Sequence, residues 1–251
     1  MAQVNEQKEQ DQAASAPTRD RGASLHALTL RDELARGLRR LASFAVGDFT
    51  VEVGEGRDSI WAVIRRPDRG GLAVRAAYVP GGFSRIRRVK REAGEALRLE
   101  ALSPIGEHRI VLEGSGADLH RLRVRSWLTP AQPLLVPFLP RDLYPLDAND
   151  DPLGTTGRVE AAQRGPNTGL IYFALDEPAF GHVLYVQDMT GLNDYYRATQ
   201  TAPMGAVGGE WPELGYLPPT PPQSGTPPVN PLPAGEEVAI SDAIVVLRDV
   251  A

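Results

Sequence analysis

The chain contains no cysteine, only four histidines and no long apolar run. Without cysteine there is no disulfide, no thiolate metal site and no cysteine nucleophile. The histidines are His26, His108, His120 and His182. They form no His-x-His pair and no two fall within one helical turn, so a histidine-built metal centre has no support. No segment approaches the roughly 18 apolar residues of a spanning helix, and residues 1–24 lack the apolar centre of a signal peptide. These absences predict a cytoplasmic protein with no membrane association. GxSxG, GxxxxGK[ST] and GxGxxG are also missing, which removes the usual nucleophile elbow and the phosphate-cradling loops. No cofactor is implied.

Turn chemistry is abundant instead: 25 glycines and 22 prolines in 251 residues. That composition favours many short strands over a helical protein. Residues 1–24 are polar and Gln/Ala/Ser-rich, a composition expected to stay disordered. Residues 25–251 then form the folded domain, and the stop at Ala251 just after an apolar strand suits a fragment of a longer chain. Thr29-Leu-Arg-Asp32 resembles a capping box, and Leu30, Leu34, Leu38 and Leu41 follow at helical spacing, predicting one short helix over about Leu30–Leu41. Strands are predicted at Phe44–Val53, Ser59–Arg65, Gly71–Val79, Ala96–Ala101, Arg109–Glu113 and Leu119–Leu128. A second set covers Gly169–Leu175, Gly181–Asp188 and Glu237–Leu247. Between them, Pro133–Pro140 reads as an edge strand or connector, Asp142–Gly157 as a loop, and 202–233 as a long proline-rich loop. The fold class predicted is all-β: a large antiparallel β-sandwich with one short N-terminal helix.

The formal net charge of −5 argues against a nucleic-acid partner. Two basic runs, Arg85–Arg91 and Leu119–Arg125, read first as solvated surface, with phosphate or nucleic-acid contact as the minor alternative. In the second run arginine alternates with apolar residues, the pattern of a strand with one wet face. The acidic run Asp147–Asp151 has alternate oxygen ligands but not the glycine and closing glutamate of a calcium loop, and reads as a surface turn. Asp176, Glu177, Asp188, Asp194, Glu210 and Glu213 are carboxylates that could pair for acid–base work, though spacing alone does not join any two.

The densest chemistry lies in Phe180–Tyr216, FGHVLYVQDMTGLNDYYRATQTAPMGAVGGEWPELGY. Aromatic rings interleaved with planar polar groups suit sugars, covering C–H faces while pairing with hydroxyls. Packing against the proline-rich loop, or docking of a peptide, are the competing readings. Asp188, Asn193, Trp211 and Tyr216 are the carbohydrate-binding candidates, with Trp211 stacking and the polar pair bonding hydroxyls.

The order LYVQDMTGLNDYY, GGEWPELGYLPPTPP and EVAISDAIVVL, set in a two-sheet β region, resembles the N-terminal β-sandwich region of bacterial carbohydrate-active proteins. In those proteins an (α/α)6-barrel catalytic domain follows, as in some glycoside hydrolases and phosphorylases. The resemblance implies a non-catalytic domain that binds an oligosaccharide or packs against a neighbouring catalytic domain. It maps no catalytic residue onto this chain. The alternatives are a stand-alone scaffold that docks a protein through the proline-rich loop, and a small enzyme using carboxylates.

Overall fold

The computed structural model describes residues 24–66, 69–92, 96–116, 119–135, 139–163, 168–177, 180–199, 207–217 and 231–247. The expected N-terminal tail up to residue 23, and most of the proline-rich loop 202–233, lie outside the described residues.

Two antiparallel sheets face each other. The first half of the chain forms strands β1 (Arg39–Val46), β2 (Phe49–Glu55), β3 (Ser59–Arg65) and β4 (Gly71–Tyr78), followed by β5 (Arg85–Arg91), β6 (Ala96–Ser103), β7 (Gly106–Ser115) and β8 (His120–Pro130). After these come β9 (Leu143–Leu146), β10 (Thr156–Gln163), β11 (Thr168–Glu177), β12 (Gly181–Asp188), β13 (Val207–Glu210), β14 (Glu213–Tyr216) and β15 (Val238–Leu247). The seven-stranded sheet runs β1-β2-β3-β4-β9-β14-β13, and the eight-stranded sheet runs β10-β11-β12-β15-β8-β7-β6-β5. The predicted all-β sandwich is therefore the fold. Among the described residues, no helix is long and apolar enough to cross a membrane.

Alternation sets the inner faces. In β8, Leu122, Val124 and Leu128 are buried while Arg121, Arg123 and Arg125 point outward, as the sequence pattern requires. β15 alternates too, apart from the adjacent buried pair Asp242 and Ala243, and lies between β8 and β12. The first six residues of β3 and of β4 are buried without alternation. Their second face is covered by helix α1 (Leu25–Arg36), which lays Ala27 and Leu30 over Trp61, Val63, Ala73 and Tyr144. Strands covered on both sides read as continuous apolar runs.

Helix α1 begins five residues before the predicted start. Ser24 is the N-cap, its hydroxyl accepting from the Ala27 N–H at 3.1 Å. Thr29 donates back to the Leu25 carbonyl within the helix rather than capping it. Gly37 ends the helix, so Leu38 and Leu41 belong to the connector and to β1; the leucine spacing ran through a helix end into a strand. Glu33 pins α1 to the sheet by accepting from Trp61 Nε1 at 3.0 Å and from the Arg57 N–H at 2.8 Å.

The single strand predicted over Phe44–Val53 is two strands. Gly47, at φ +56°, turns the chain between β1 and β2, a conformation that costs an L side chain energy and glycine little. A Cβ there would sit 1.9 Å from His120 Nδ1, so the turn also needs the space. Strands β5, β9, β10, β13 and β14 were not predicted, nor was the seven-residue helix α2 (Asn193–Thr199). The predicted loop Asp142–Gly157 holds β9, which pairs with β4 over four residues, Leu143 to Leu146, and with β14 through Leu143.

Leu30, on the inner face of α1, is fully buried against the sheet. Leu30→Ala should lower unfolding stability by about 2–4 kcal/mol, against about 1 kcal/mol for Ser24→Ala, both read from urea midpoints. Equal, small losses would mean that α1 is not packed as described.

Candidate functional site

A cleft opens between the sheets, where the end of β4 faces β8 and β15. It measures about 560 Å³ with the open solvent at its mouth included. Ala76, Ile105, Leu128, Leu139 and Ile240 make its apolar wall. A small polar set meets them: His108, Ser126, Asp142, Tyr216 and Ser241. Mostly apolar walls with a few convergent polar groups are the usual make-up of a small-molecule site.

Asp142 is the most constrained of these groups. It sits just before β9, and its backbone carbonyl accepts from the Arg75 N–H at 2.7 Å, fastening it to β4. Carboxylate Oδ1 accepts from the Tyr216 N–H at 2.7 Å, and Oδ2 lies 2.8 Å from the hydroxyl of Tyr185. Tyr216 belongs to one sheet and Tyr185 to the other, so this carboxyl bonds to both. Gly215 makes the approach possible. It sits at φ +97°, and a Cβ there would fall 2.0 Å from Asp142 Oδ1.

Burial drives the Asp142 carboxyl up to about 6, although the Tyr216 N–H, the Tyr185 hydroxyl and the Arg141 charge favour ionisation. The hydrogen bonds follow its charge. Tyr185 Oη is also 3.0 Å from Gln187 Oε1, and a phenol has one hydrogen to give. When Asp142 is protonated it donates to Tyr185, which donates on to Gln187 Oε1. When Asp142 is ionised it takes the tyrosine hydrogen, and Tyr185 Oη must accept from the amide. Turning the Gln187 amide over supplies that donor and gives its Nε2, otherwise without a hydrogen bond, a partner. Gln187 is fully buried beside Ser241, so this chain ends at the cleft.

His108 sits on the opposite wall. Burial lowers its imidazole to about 4, keeping it neutral. Its Nε2 lies 2.8 Å from Ser103 Oγ, and its ring meets the edge of Phe83 at 5.2 Å.

The predicted sugar-binding residues do not come together at one site. Trp211 lies in the β13–β14 turn and faces inward: Nε1 donates to the Thr155 carbonyl at 3.2 Å, and the indole meets Phe173 edge-on at 6.0 Å. Its Cζ2–Cη2 edge fills the space over Gly157. Asp188 ends β12, accepting from the Thr190 N–H at 3.0 Å and lying 3.7 Å from Arg123. Asn193 is exposed at the start of α2. Only Tyr216 lines the cleft. It is 2% exposed, and its hydroxyl is 2.7 Å from that of Tyr196 on α2.

The carboxylates named for acid–base work are largely occupied. Asp176 pairs with Arg158 at 2.7 Å, Asp194 with Arg197 at 2.9 Å, and Glu213 accepts from Tyr144 at 3.1 Å. The acidic run is a turn, as expected. Asp147 accepts from the N–H groups of Asn149 and Asp151, Asp150 pairs with Arg65 through two 2.9 Å bonds, and Asp151 accepts from Leu153. No group of three or more His, Asp or Glu suited to a metal occurs among the described residues. Asp142 escaped the sequence reading because it lay in a presumed loop. The one cue, the apolar run Leu143-Tyr-Pro-Leu146 behind the acid, is too short to make a strand pattern.

The two titrating groups at the cleft act in opposite directions on stability. The Asp142 carboxyl, raised from 3.8 to about 6, favours the folded state at low pH, and that contribution is lost as pH rises through about 6. His108, lowered from 6.5 to about 4, favours the folded state above pH 6.5, and that contribution is lost as pH falls toward 4. Each is worth on the order of 3 kcal/mol at full effect, and between pH 4 and 6 they offset. Asp142→Asn should leave a Tm that climbs from pH 4 to 6.5, and His108→Gln a Tm that falls over the same range. Parallel Tm profiles for the two variants would refute the assignment. Gly215→Ala should cost at least about 2 kcal/mol, read by urea unfolding, since the added methyl strikes the Asp142 carboxylate.

No family model, no curated protein and no solved structure matches the chain.

Proposed function

We infer that this chain is a non-catalytic β-sandwich binding module, the kind of accessory role that its resemblance to carbohydrate-active proteins implies. Its ligand site is the cleft between the sheets rather than the Trp211 surface. One observation carries this reading: a mostly apolar cleft, open to solvent, that converges on a buried carboxyl, two serines and a tyrosine. Above pH 6 the Asp142 carboxylate is an acceptor at the wall of an apolar space. It favours a small ligand that brings a hydrogen-bond donor, a hydroxyl or an amine, and the hydroxyls of a sugar are within that class. Catalysis has weaker support, because Asp176, Asp188 and Asp194 lie against arginines and Glu213 accepts from Tyr144. In this reading the partners are a small hydroxylated ligand, or an oligosaccharide end, and a neighbouring catalytic domain; a cytoplasmic setting accompanies it. Trp211 contributes by packing, since an indole that gives its N–H and one edge to the interior has little left for stacking.

The test is a fluorescence titration of the purified chain with N-phenyl-1-naphthylamine, a neutral apolar amine, and with gluco-, manno- and galacto-oligosaccharides. Saturable probe binding should weaken at least about tenfold in Ser126→Phe, which fills the cleft, and stay within about twofold in Trp211→Phe. The oligosaccharide that binds should compete with the probe. Sugar binding lost in Trp211→Phe and untouched in Ser126→Phe would move the site to the Trp211 loop and overturn the cleft assignment. No binding of any ligand by the folded protein would overturn the binding role itself.

A further inference from the structure

Strand β5 is one edge of the eight-stranded sheet, paired with β6 from Arg85 opposite Leu102 to Arg91 opposite Leu97. Among the described residues its other side has no ladder partner. It reads Arg-Ile-Arg-Arg-Val-Lys-Arg, and every residue except Ile86 is exposed. Arg87 meets Glu107 at 2.8 Å, and Arg91 reaches the Ser43 carbonyl of β1. Arg85, Arg88 and Lys90 have no acidic or hydrogen-bonding partner among the described residues. β1, the edge of the facing sheet, adds Arg39 and Arg40 near its start, paired with Glu55 and Glu52. A chain of net charge −5 thus concentrates positive charge on one open edge.

Edge strands are commonly guarded by a charge, and lysine is the favoured guard. Five cations in seven residues exceed what guarding needs, and three of them lack counter-charges among the described residues. The backbone groups of such an edge remain available for another strand. We propose that β5 receives an extended, acidic segment of a partner protein as an added strand, its Glu and Asp side chains meeting Arg85, Arg88 and Lys90.

Main-chain hydrogen bonds supply the affinity in this arrangement, and the cations select for acidic residues. Side chains alternate across an added strand, so acids on both faces meet cations on both faces of β5. A nucleic-acid strand fits less well. Binding of single strands relies on aromatic stacking, and among the described residues the exposed large apolar ones are Leu25, Val89, Leu119, Leu135 and Val159, none of them aromatic.

Anisotropy of a labelled Glu-Glu-Val-Thr repeat peptide, which carries acids on both faces of an extended strand, titrated with the full chain at low salt, tests the proposal. Binding should saturate, weaken about tenfold or more in R85E/R88E/K90E with the Tm unchanged, and vanish when alternate peptide nitrogens are methylated. The methylated peptide is tested on the unaltered protein, so the outcome stands even if the triple variant unfolds. Absent binding, equal binding of the methylated peptide, or tighter binding of oligo(dT) would each overturn it.

Discussion

The Asp142 carboxyl touches both layers of the sandwich at once, through the Tyr216 N–H on one side and the Tyr185 hydroxyl on the other. Sheets packed face to face are held mainly by non-directional burial, which fixes their separation better than their relative position. A hydrogen-bonded carboxyl in that gap fixes position. β9 must lie next to β4 and β14 for the contact to form, and the Gly215 backbone must come close enough to share it. The cleft is the space this arrangement leaves open, because the chain entering β9 occupies the gap at that end while β4, β8 and β15 hold the walls apart.

Near that cleft the aromatic residues act as structure. Trp61, Tyr144, Tyr185 and Tyr216 are all buried, and each hydroxyl or indole N–H among them has a partner: Glu33 for Trp61, Glu213 for Tyr144, Asp142 for Tyr185 and Tyr196 for Tyr216. Arg75 adds a cation between Trp61 and Tyr144, 4.2 and 5.7 Å from their ring centres, while bonding Ser59 at 2.6 Å. Buried polar groups this fully bonded specify one packing, since any shift leaves a donor or acceptor unmet.

How much of this could be read from the sequence depends on the range of the interactions. Residues 119–128 and 237–247 showed their strands because period-two alternation is local and each has a single wet face. Helix α1 was found but displaced, because leucines at 30, 34, 38 and 41 kept helical spacing beyond Gly37, and a cap such as Ser24 is a single polar residue among many. β9 was invisible: four residues including a proline make no pattern, and it is a strand only because β4 and β14 are there to pair with it. The same holds for the cleft. Asp142 looks like a surface acid until the burial of its surroundings is known, and the contacts of Trp211 with Thr155 and Phe173 join residues far apart in the chain.

The place of β15 has a consequence in time. The eight-stranded sheet consists of two sequence-local pieces, β5–β8 and β10–β12, and the strand that joins them follows both in the chain. During synthesis each piece can form from neighbouring hairpins, but each then carries an open edge, at β8 and at β12, above an apolar face. Those edges stay open until Val238–Leu247 has left the ribosome and threads between them, closing contacts that span more than a hundred residues of sequence on the β8 side and about sixty on the β12 side. A pause in translation before that point would hold the nascent chain in its most adhesive form, with two unsatisfied strands available to any other copy.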